Sequence, residues 1–471
     1  MSEPTLVQSL ATFAAETTYQ VLPVEVVASA RQRVLDTVGV GLAAWSTGVG
    51  DRLLGLLQGT AAGASAAPIG LAARFPVEQA AFISGTLAHG LDFDDTHLPS
   101  ILHPSAMIVP TALTVAQSVG ASPRELLAAM VTGYEICARI GNAAYDPALR
   151  NSVFFDKGLH GASIIGAIAA AAVAGKLYGG SAPEIGHAMG IAASMAAGLL
   201  EANRTGGTVK QLHGGWACQS AVWAARLAAA GYTAPPTVLE GRFGFFHALC
   251  DDRYDPHAVT QGLGQTWETT RIFFKPYPAN HFTHAGIDGA LAIRRKYGPF
   301  APDDIARIEL GVAEPTLRTI AEPREAKIHP ESGYAARFSG PFTVATALIG
   351  GGGLGVYLDD FTDALSRDRE RLDLAAKVVC RADPTCDAVF PFHFPAVLTV
   401  TLKGGRVLEE RVMVNRGSPD WPLSPSEVER KFHLNASRWI DEKAVGRIAE
   451  LSERMEEVDD LGLLVSEWAR R

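Results

Sequence analysis

PAVLTVTLKGGRVLEERVMV, residues 395–414, is two β-branched runs on either side of a Lys-Gly-Gly turn, the pattern of a β-hairpin. Nothing before Tyr254 alternates with period two for long, so this hairpin marks a change of architecture. Upstream of it, DDIARIELGVAE (303–314) alternates in the same manner, and RIFFKPYPAN (271–280) is a short strand-like run broken by prolines. Helical patterns at about His284–Tyr297, Pro341–Ile349 and Phe361–Val378 are interleaved with these strands. Residues 267–415 therefore read as a small α+β domain.

On both sides of that block the pattern is helical. PVEVVASARQRVLDTVGVGLAA (23–44) carries apolar residues at helical spacing, with Pro23 near its first turn. Similar patterns follow at Val77–Leu87, Ser105–Gln117, Pro123–Gly141, Gly161–Leu177, Ala182–Leu200 and Gly214–Ala230. After NRGSPDWPLS (415–424), amphipathic helix returns at Pro425–Lys431 and Lys443–Trp468. The fold class expected is mainly α. A large all-helical domain, 1–266, is completed by 416–471, with the smaller α+β lid, 267–415, inserted before the C-terminal helices.

Composition limits the function. The chain has 471 residues, a formal net charge of −9 and 48% hydrophobic residues, so it can bury a large core and has no basic face for a nucleic acid. A local Lys/His cluster for a small anion remains compatible with that charge. The 47 glycines and the Ala-rich runs suggest closely packed helices. Cys137, Cys218, Cys250, Cys380 and Cys386 are scattered and odd in number, as expected of reduced thiols in a cytoplasmic protein. The N-terminus lacks a secretory pattern, and the run ASIIGAIAAAAVAG (162–175) is too short to span a bilayer, so no membrane role is expected.

The polar residues gather in a few places. AHGLDFDDTHLPSILHP (88–104) holds three histidines and three aspartates between two apolar segments. If Leu87–Asp95 were helical, His89, Asp92 and Thr96 would share a face, and His103 would fold back over them. Metal site, acid/base cluster and solvated loop are the three readings. No HxH, HExxH or CxxC spacing supports a metal, and none is expected. His160 opens an Ala-rich helix, where the N-terminus favours a neutral imidazole and bound anions. Lys210 and His213 stand in a Gly-rich turn before a further helix, without the Walker order. Lys275 sits among prolines, and Asn280, His281 and His284 lie at the mouth of a helix. GGGGLG (350–355) satisfies GxGxxG but follows a helical pattern and opens no helix, so no dinucleotide site is expected.

HGLDFDDTH…HPSA, GLHGAS, GGTVKQLHGGWA, VLEGRFGFF and KPYPANHFTHAGID, in that order, resemble the MmgE/PrpD family. That family includes 2-methylcitrate dehydratase, cis-aconitate decarboxylase and iminodisuccinate epimerase. The resemblance implies a metal-free, cofactor-free site between a helical domain and a lid, in a homodimer acting on a small anionic carboxylate. It carries over Asp92, Thr96, His103, His160 and Lys210 as catalytic-pocket residues, with Lys275 offered by the lid. Asn280, His281 and His213 are expected to border the substrate. His103 is the leading base or acid, oriented by Asp92, while Asp94, Asp95 and His97 are expected to be outward or structural. Asn280 replaces a histidine of decarboxylase-type relatives, and His281 an arginine of many bacterial members, so the substrate is left open. A dehydratase is the leading expectation. An epimerase of a dicarboxylate such as iminodisuccinate, a decarboxylase and a non-catalytic metabolite-binding protein are the alternatives. Tyr145 or Tyr334 would be a second proton donor, if it is not a packing residue.

Overall fold

The computed structural model of the chain describes residues 3–57, 63–205, 207–298 and 300–468. Helix Val24–Trp45 begins directly after Pro23, whose fixed φ sets the entry, and is buried almost without interruption from Arg33 to Trp45. Val77–His89, Ser105–Val119 and Pro123–Ala143 pack against it, and Gly161–Leu177 and Val209–Ala229 pack against those helices and each other. Ala and Gly dominate the buried faces of Gly161–Leu177 and Val209–Ala229, so their backbones approach their neighbours closely.

The closest approach is between Val77–His89 and Val209–Ala229. A Cβ on Gly85 would lie 2.6 Å from Cys218 Sγ and 2.8 Å from the Gly214 carbonyl oxygen. One on Gly214 would lie 2.6 Å from the Gly85 carbonyl oxygen, and one on Gly215 would lie 2.4 Å from that of Phe82. The absence of side chains at these crossings brings the His89 end of one helix against the Lys210 end of the other.

Two large apolar cores result among the described residues, with two smaller clusters beside them. The larger gathers side chains from Val7 to Ile272 and, after a gap, from Phe432 to Trp468, so the C-terminal helices complete the helical layer. The smaller core runs from Phe273 to Val412 and takes in Leu98. It is built on a four-stranded sheet in the order 378–382, 305–312, 396–402, 407–412. The first pair is parallel and the other two are antiparallel, the last being the expected hairpin. Helices His284–Tyr297 and Gly340–Ile349 pack together in this core. The mainly α fold class stands as expected, with an α+β unit inserted between helical segments.

Several boundaries differ from the expectation. Helix Ala182–Met195 stops five residues early, ahead of Gly198 at φ +157. The expected helix Lys443–Trp468 is two helices, Glu442–Glu453 and Gly462–Trp468, separated by a single 3₁₀ turn. Phe361–Val378 is helical over Arg369–Ala376, where Asp368 caps the first turn. GGGGLG is a loop after helix Gly340–Ile349. Among the described residues no helix is long and apolar enough to cross a membrane, and all five cysteines are free.

Candidate active site

Helix Val77–His89 ends at His89, short of Asp95, and Asp92 takes a left-handed backbone, φ +53. The expected helical face His89–Asp92–Thr96 is thus replaced by a tight buried loop. The loop leaves its carbonyls unpaired within helix or sheet, and buried backbone groups must find partners. They find cations. Arg337 Nη1 donates to Leu91 O at 2.7 Å, Lys275 Nζ to Asp92 O at 3.1 Å and Lys431 Nζ to Phe93 O at 2.9 Å. Two of these donors come from the α+β unit and one from the C-terminal helix, so all parts of the chain hold this loop. A two-residue ladder, Thr96 opposite Phe273 and His97 opposite Ile272, extends the attachment.

The side chains of the loop divide the charges. Asp92 Oδ1 accepts from Lys210 Nζ at 2.5 Å and lies 3.6 Å from Lys275 Nζ, with all three groups buried. Burial pushes the Asp92 carboxyl up, but the two ammonium groups outweigh it and hold the pKa well below the usual carboxylate range. Burial likewise opposes the Lys210 ammonium, yet Asp92 keeps its pKa above the ordinary lysine value. Asp94 Oδ2 meets His89 Nδ1 at 2.7 Å. Asp95 accepts from Arg33 at 3.1 Å and from the Ser105 amide at 3.0 Å, and His97 Nε2 meets Glu268 at 3.0 Å.

His103 Nδ1 lies 2.7 Å from the carbonyl oxygen of Asp95 and 3.3 Å from Thr96 Oγ1. A carbonyl only accepts, so Nδ1 carries the proton and Nε2 keeps its lone pair. Burial and the Lys275 ammonium push the imidazole down to about 3, so it is neutral near pH 7. His160 precedes the first turn of Gly161–Leu177, and its Nδ1 lies 2.9 Å from His213 Nδ1. Its Nε2 is buried without a hydrogen-bond partner, and burial, with His89 and Lys210 nearby, lowers its pKa. His281, buried between Phe273 and Phe394, has both ring nitrogens unpartnered and a lowered pKa, from burial first and His284 second.

Thr96, His103, His160, Lys210, Asn280 and His281 line one cleft of ≈ 530 Å³ of empty space, its mouth included. Phe154, Phe155 and Phe282 form its apolar wall. Asp92 and Lys275 sit behind Lys210, and His213 behind His160. Among the described residues no three His, Cys, Asp or Glu side chains are placed to hold one metal ion. The arrangement offers a neutral imidazole lone pair, a second imidazole, and a paired ammonium facing one small space, the equipment for moving a proton beside a carboxylate.

A model of the MmgE/PrpD N-terminal domain matches residues 8–257, and one of the C-terminal domain matches 277–457. The chain belongs to the MmgE/PrpD family. Human cis-aconitate decarboxylase is 29% identical over 405 residues, covering 83% of this chain and 79% of that protein. The mouse cis-aconitate decarboxylase is 27% identical over 454 residues, 93% of this chain and 88% of the relative. A 2-methylcitrate dehydratase from Cupriavidus necator is 30% identical over 410 residues, 81% and 79% of the two chains.

Two expected placements are corrected, and the outward-or-structural choice for Asp94, Asp95 and His97 falls to buried, paired positions. Lys210 and His213 lie inside helix Val209–Ala229, in its first turns, rather than in a turn before it. His103 is oriented by the Asp95 carbonyl, while Asp92 is engaged by Lys210. Asp94, Asp95 and His97 are all buried, and Asp94 lies 3.9 Å from Lys275 at the back of the site. Asn280 has its side-chain oxygen occupied as a cap for Phe282 N. Sequence reasoning missed the Asp94–His89 pair, Asn203 on the cleft wall and Arg337 on the loop backbone. The DFDDT spacing is compatible with either aspartate facing inward, and only the positive φ at Asp92 turns both toward Lys275.

Proposed function

We propose that this chain is a lyase that removes a proton beside a carboxylate of a small di- or tricarboxylate, with dehydration as the net reaction. The neutral His103 carries this reading, its Nε2 lone pair directed by the Asp95 hydrogen bond. A dehydratase must begin with a base at carbon, and His103 begins as one. A decarboxylase must deliver a proton to carbon after carbon dioxide leaves, for which a neutral imidazole is the wrong starting form.

In this scheme His103 Nε2 takes the proton from the carbon next to a carboxylate. The electron pair moves into that carboxylate, whose growing negative charge is met by the Lys210 ammonium. The pair then returns to form the C=C bond as the C–O bond of the neighbouring hydroxyl breaks. His103 passes its proton to the departing hydroxide, giving water and the starting imidazole. His160, neutral, serves as a hydrogen-bond donor through Nε2 when His213 supplies the proton between their Nδ1 atoms. Thr96 helps fix the His103 ring, and Asn280 and His281 border the substrate. Lys275 acts from behind by holding Asp92. No step calls on a metal or cofactor.

The second reading is decarboxylation, supported by the human and mouse relatives that bear that name. Ultraviolet absorbance of the new alkene from hydroxy-tricarboxylates, run beside carbon dioxide release from cis-aconitate, separates them. Alkene formation is the expected result, and carbon dioxide release without it would move the assignment to the second reading.

We also propose the division into 1–266 with 416–471 and 267–415, a cytoplasmic location, and a homodimer. Supporting the dimer, Val209, Leu212, Trp216 and Trp223 are exposed along the Lys210 helix. Light scattering at a few micromolar tests it, with twice the chain mass expected.

A further inference from the structure

Lys327 is 3% exposed, yet no carboxylate among the described residues is ion-paired with it. Among the described residues its ammonium has a single hydrogen bond, to the carbonyl oxygen of Asn203 at 3.1 Å. Buried cations are ordinarily matched, because an unmatched one loses hydration without recovering it. Every other buried lysine at this domain boundary obeys the rule: Lys210 has Asp92, Lys275 has Asp92 and Asp94, and Lys431 has Asp36 at 2.7 Å. Burial and the nearby Arg204 guanidinium push Lys327 down to about 8, which leaves most of it charged near pH 7.

Lys327 lines a pocket of ≈ 870 Å³ of empty space between Ala202, Asn203, Arg204, Gly207 and Thr208 on one side and the 326–338 segment of the α+β unit on the other. Arg204, Ser332 and Tyr334 share its wall, and Glu331 and His329 stand exposed at its rim. Asn203 lines both this pocket and the catalytic cleft, so the two adjoin. Its side-chain oxygen is buried and unpartnered, as is the Tyr334 hydroxyl. Phe338, in the same wall, carries the Lys210 ammonium 5.2 Å over its ring. Lys210 meets the reacting carboxylate, and Lys275 is held behind it by Asp92 and Asp94, so the cleft offers little further positive charge for a polyanion.

We propose that the Lys327 pocket is a carboxylate-binding subsite, in which Lys327 and Arg204 supply the charge and the Tyr334 hydroxyl a hydrogen bond. This deepens the carboxylate-lyase reading and rests on it. The carboxylate comes either from the distal end of a substrate whose reacting end lies at His103 or from a separate carboxylate bound beside the cleft.

The test is calorimetric titration of tricarballylate into wild type, Lys327→Met and Lys327→Arg, with thermal melts to confirm folding and steady-state kinetics on whichever carboxylate wild type turns over. The expected result is a loss of at least about thirtyfold in affinity for Lys327→Met, with most of it restored in Lys327→Arg. A parallel rise in KM assigns the subsite to the substrate's own carboxylate, whereas loss of a second bound equivalent at constant KM assigns it to a separate one. Equal affinity and stoichiometry in wild type and Lys327→Met would overturn the proposal. Failure of the parent reading looks different: wild type would turn over none of the carboxylates while Lys327-dependent binding persisted.

Discussion

His103 Nδ1 and the carbonyl oxygen of Asp95 are 2.7 Å apart, and that one contact fixes which nitrogen of the imidazole faces the cleft. Replacing His103 with Gln keeps an amide able to donate to Asp95 but removes the basic lone pair. The account expects kcat to fall by about a hundredfold or more, with binding of a substrate analogue changed far less. Steady-state kinetics beside calorimetry on His103→Gln checks this.

Asp92 and Lys210 form a buried pair, so removing one leaves the other uncompensated. Lys210→Met is expected to cost about 3–5 kcal/mol of stability, and Asp92→Asn should also destabilise. The double variant should cost less than the sum of the two, by about 0.5–3 kcal/mol. Urea unfolding of the four proteins measures the cycle.

The close glycine crossing sets where Lys210 stands. Gly214→Ala places a methyl group 2.6 Å from the Gly85 carbonyl oxygen, and neither backbone can give way without moving its helix. A loss of about 1–3 kcal/mol and a drop in activity are expected. Gly446→Ala is the contrast, because its Cβ meets nothing within 4 Å on the exposed face of helix Glu442–Glu453. It should gain about 0.5–1 kcal/mol.

Acid should destabilise the fold above the range in which ordinary carboxylates titrate. Burial and the Lys275 ammonium push His284 down to about 3, from an ordinary 6.5. Between those values the unfolded chain binds the proton and the folded chain does not, so stability rises with pH across the window and falls as pH drops. At pH 5 the loss is about 2 kcal/mol from His284 alone. His160 and His281 shift in the same direction and add to it. Asp92, held below its ordinary 3.8, contributes stability that persists until pH falls below that value. His284→Gln, which can still donate to the Ala279 carbonyl, should show the smaller loss between pH 7 and pH 5.

The helical core and the hairpin were readable from sequence because each rests on a local pattern, whereas Thr96, His103, His160 and Lys210 of the cleft came from the resemblance to the MmgE/PrpD motifs. The periodicity of 23–44 and the Lys-Gly-Gly turn are set by neighbours in the chain. So is the His160 helix start. What could not be read depends on contacts far along the chain. Helix Val77–His89 stops at His89 because Asp92 turns left-handed, under carbonyl bonds from Arg337, Lys275 and Lys431. Asp94 and Asp95, expected to be outward or structural, then face inward onto His89 and Arg33. Lys210 reads as a turn residue beside two glycines, yet those glycines lie inside the helix and serve the crossing with Gly85. The missing partner of Lys327 is likewise invisible in sequence, since burial alone makes it matter.

The central claim is that His103 takes a proton from carbon and that an alkene results. Proton NMR in deuterium oxide, with a panel of hydroxy- and amino-dicarboxylates and tricarboxylates, tests both halves together. The account predicts new vinyl signals from a hydroxy acid, with loss of the proton beside its carboxylate, and silence from His103→Gln. Deuterium uptake next to the carboxylate without any alkene, or turnover by His103→Gln at the wild-type rate, would contradict it.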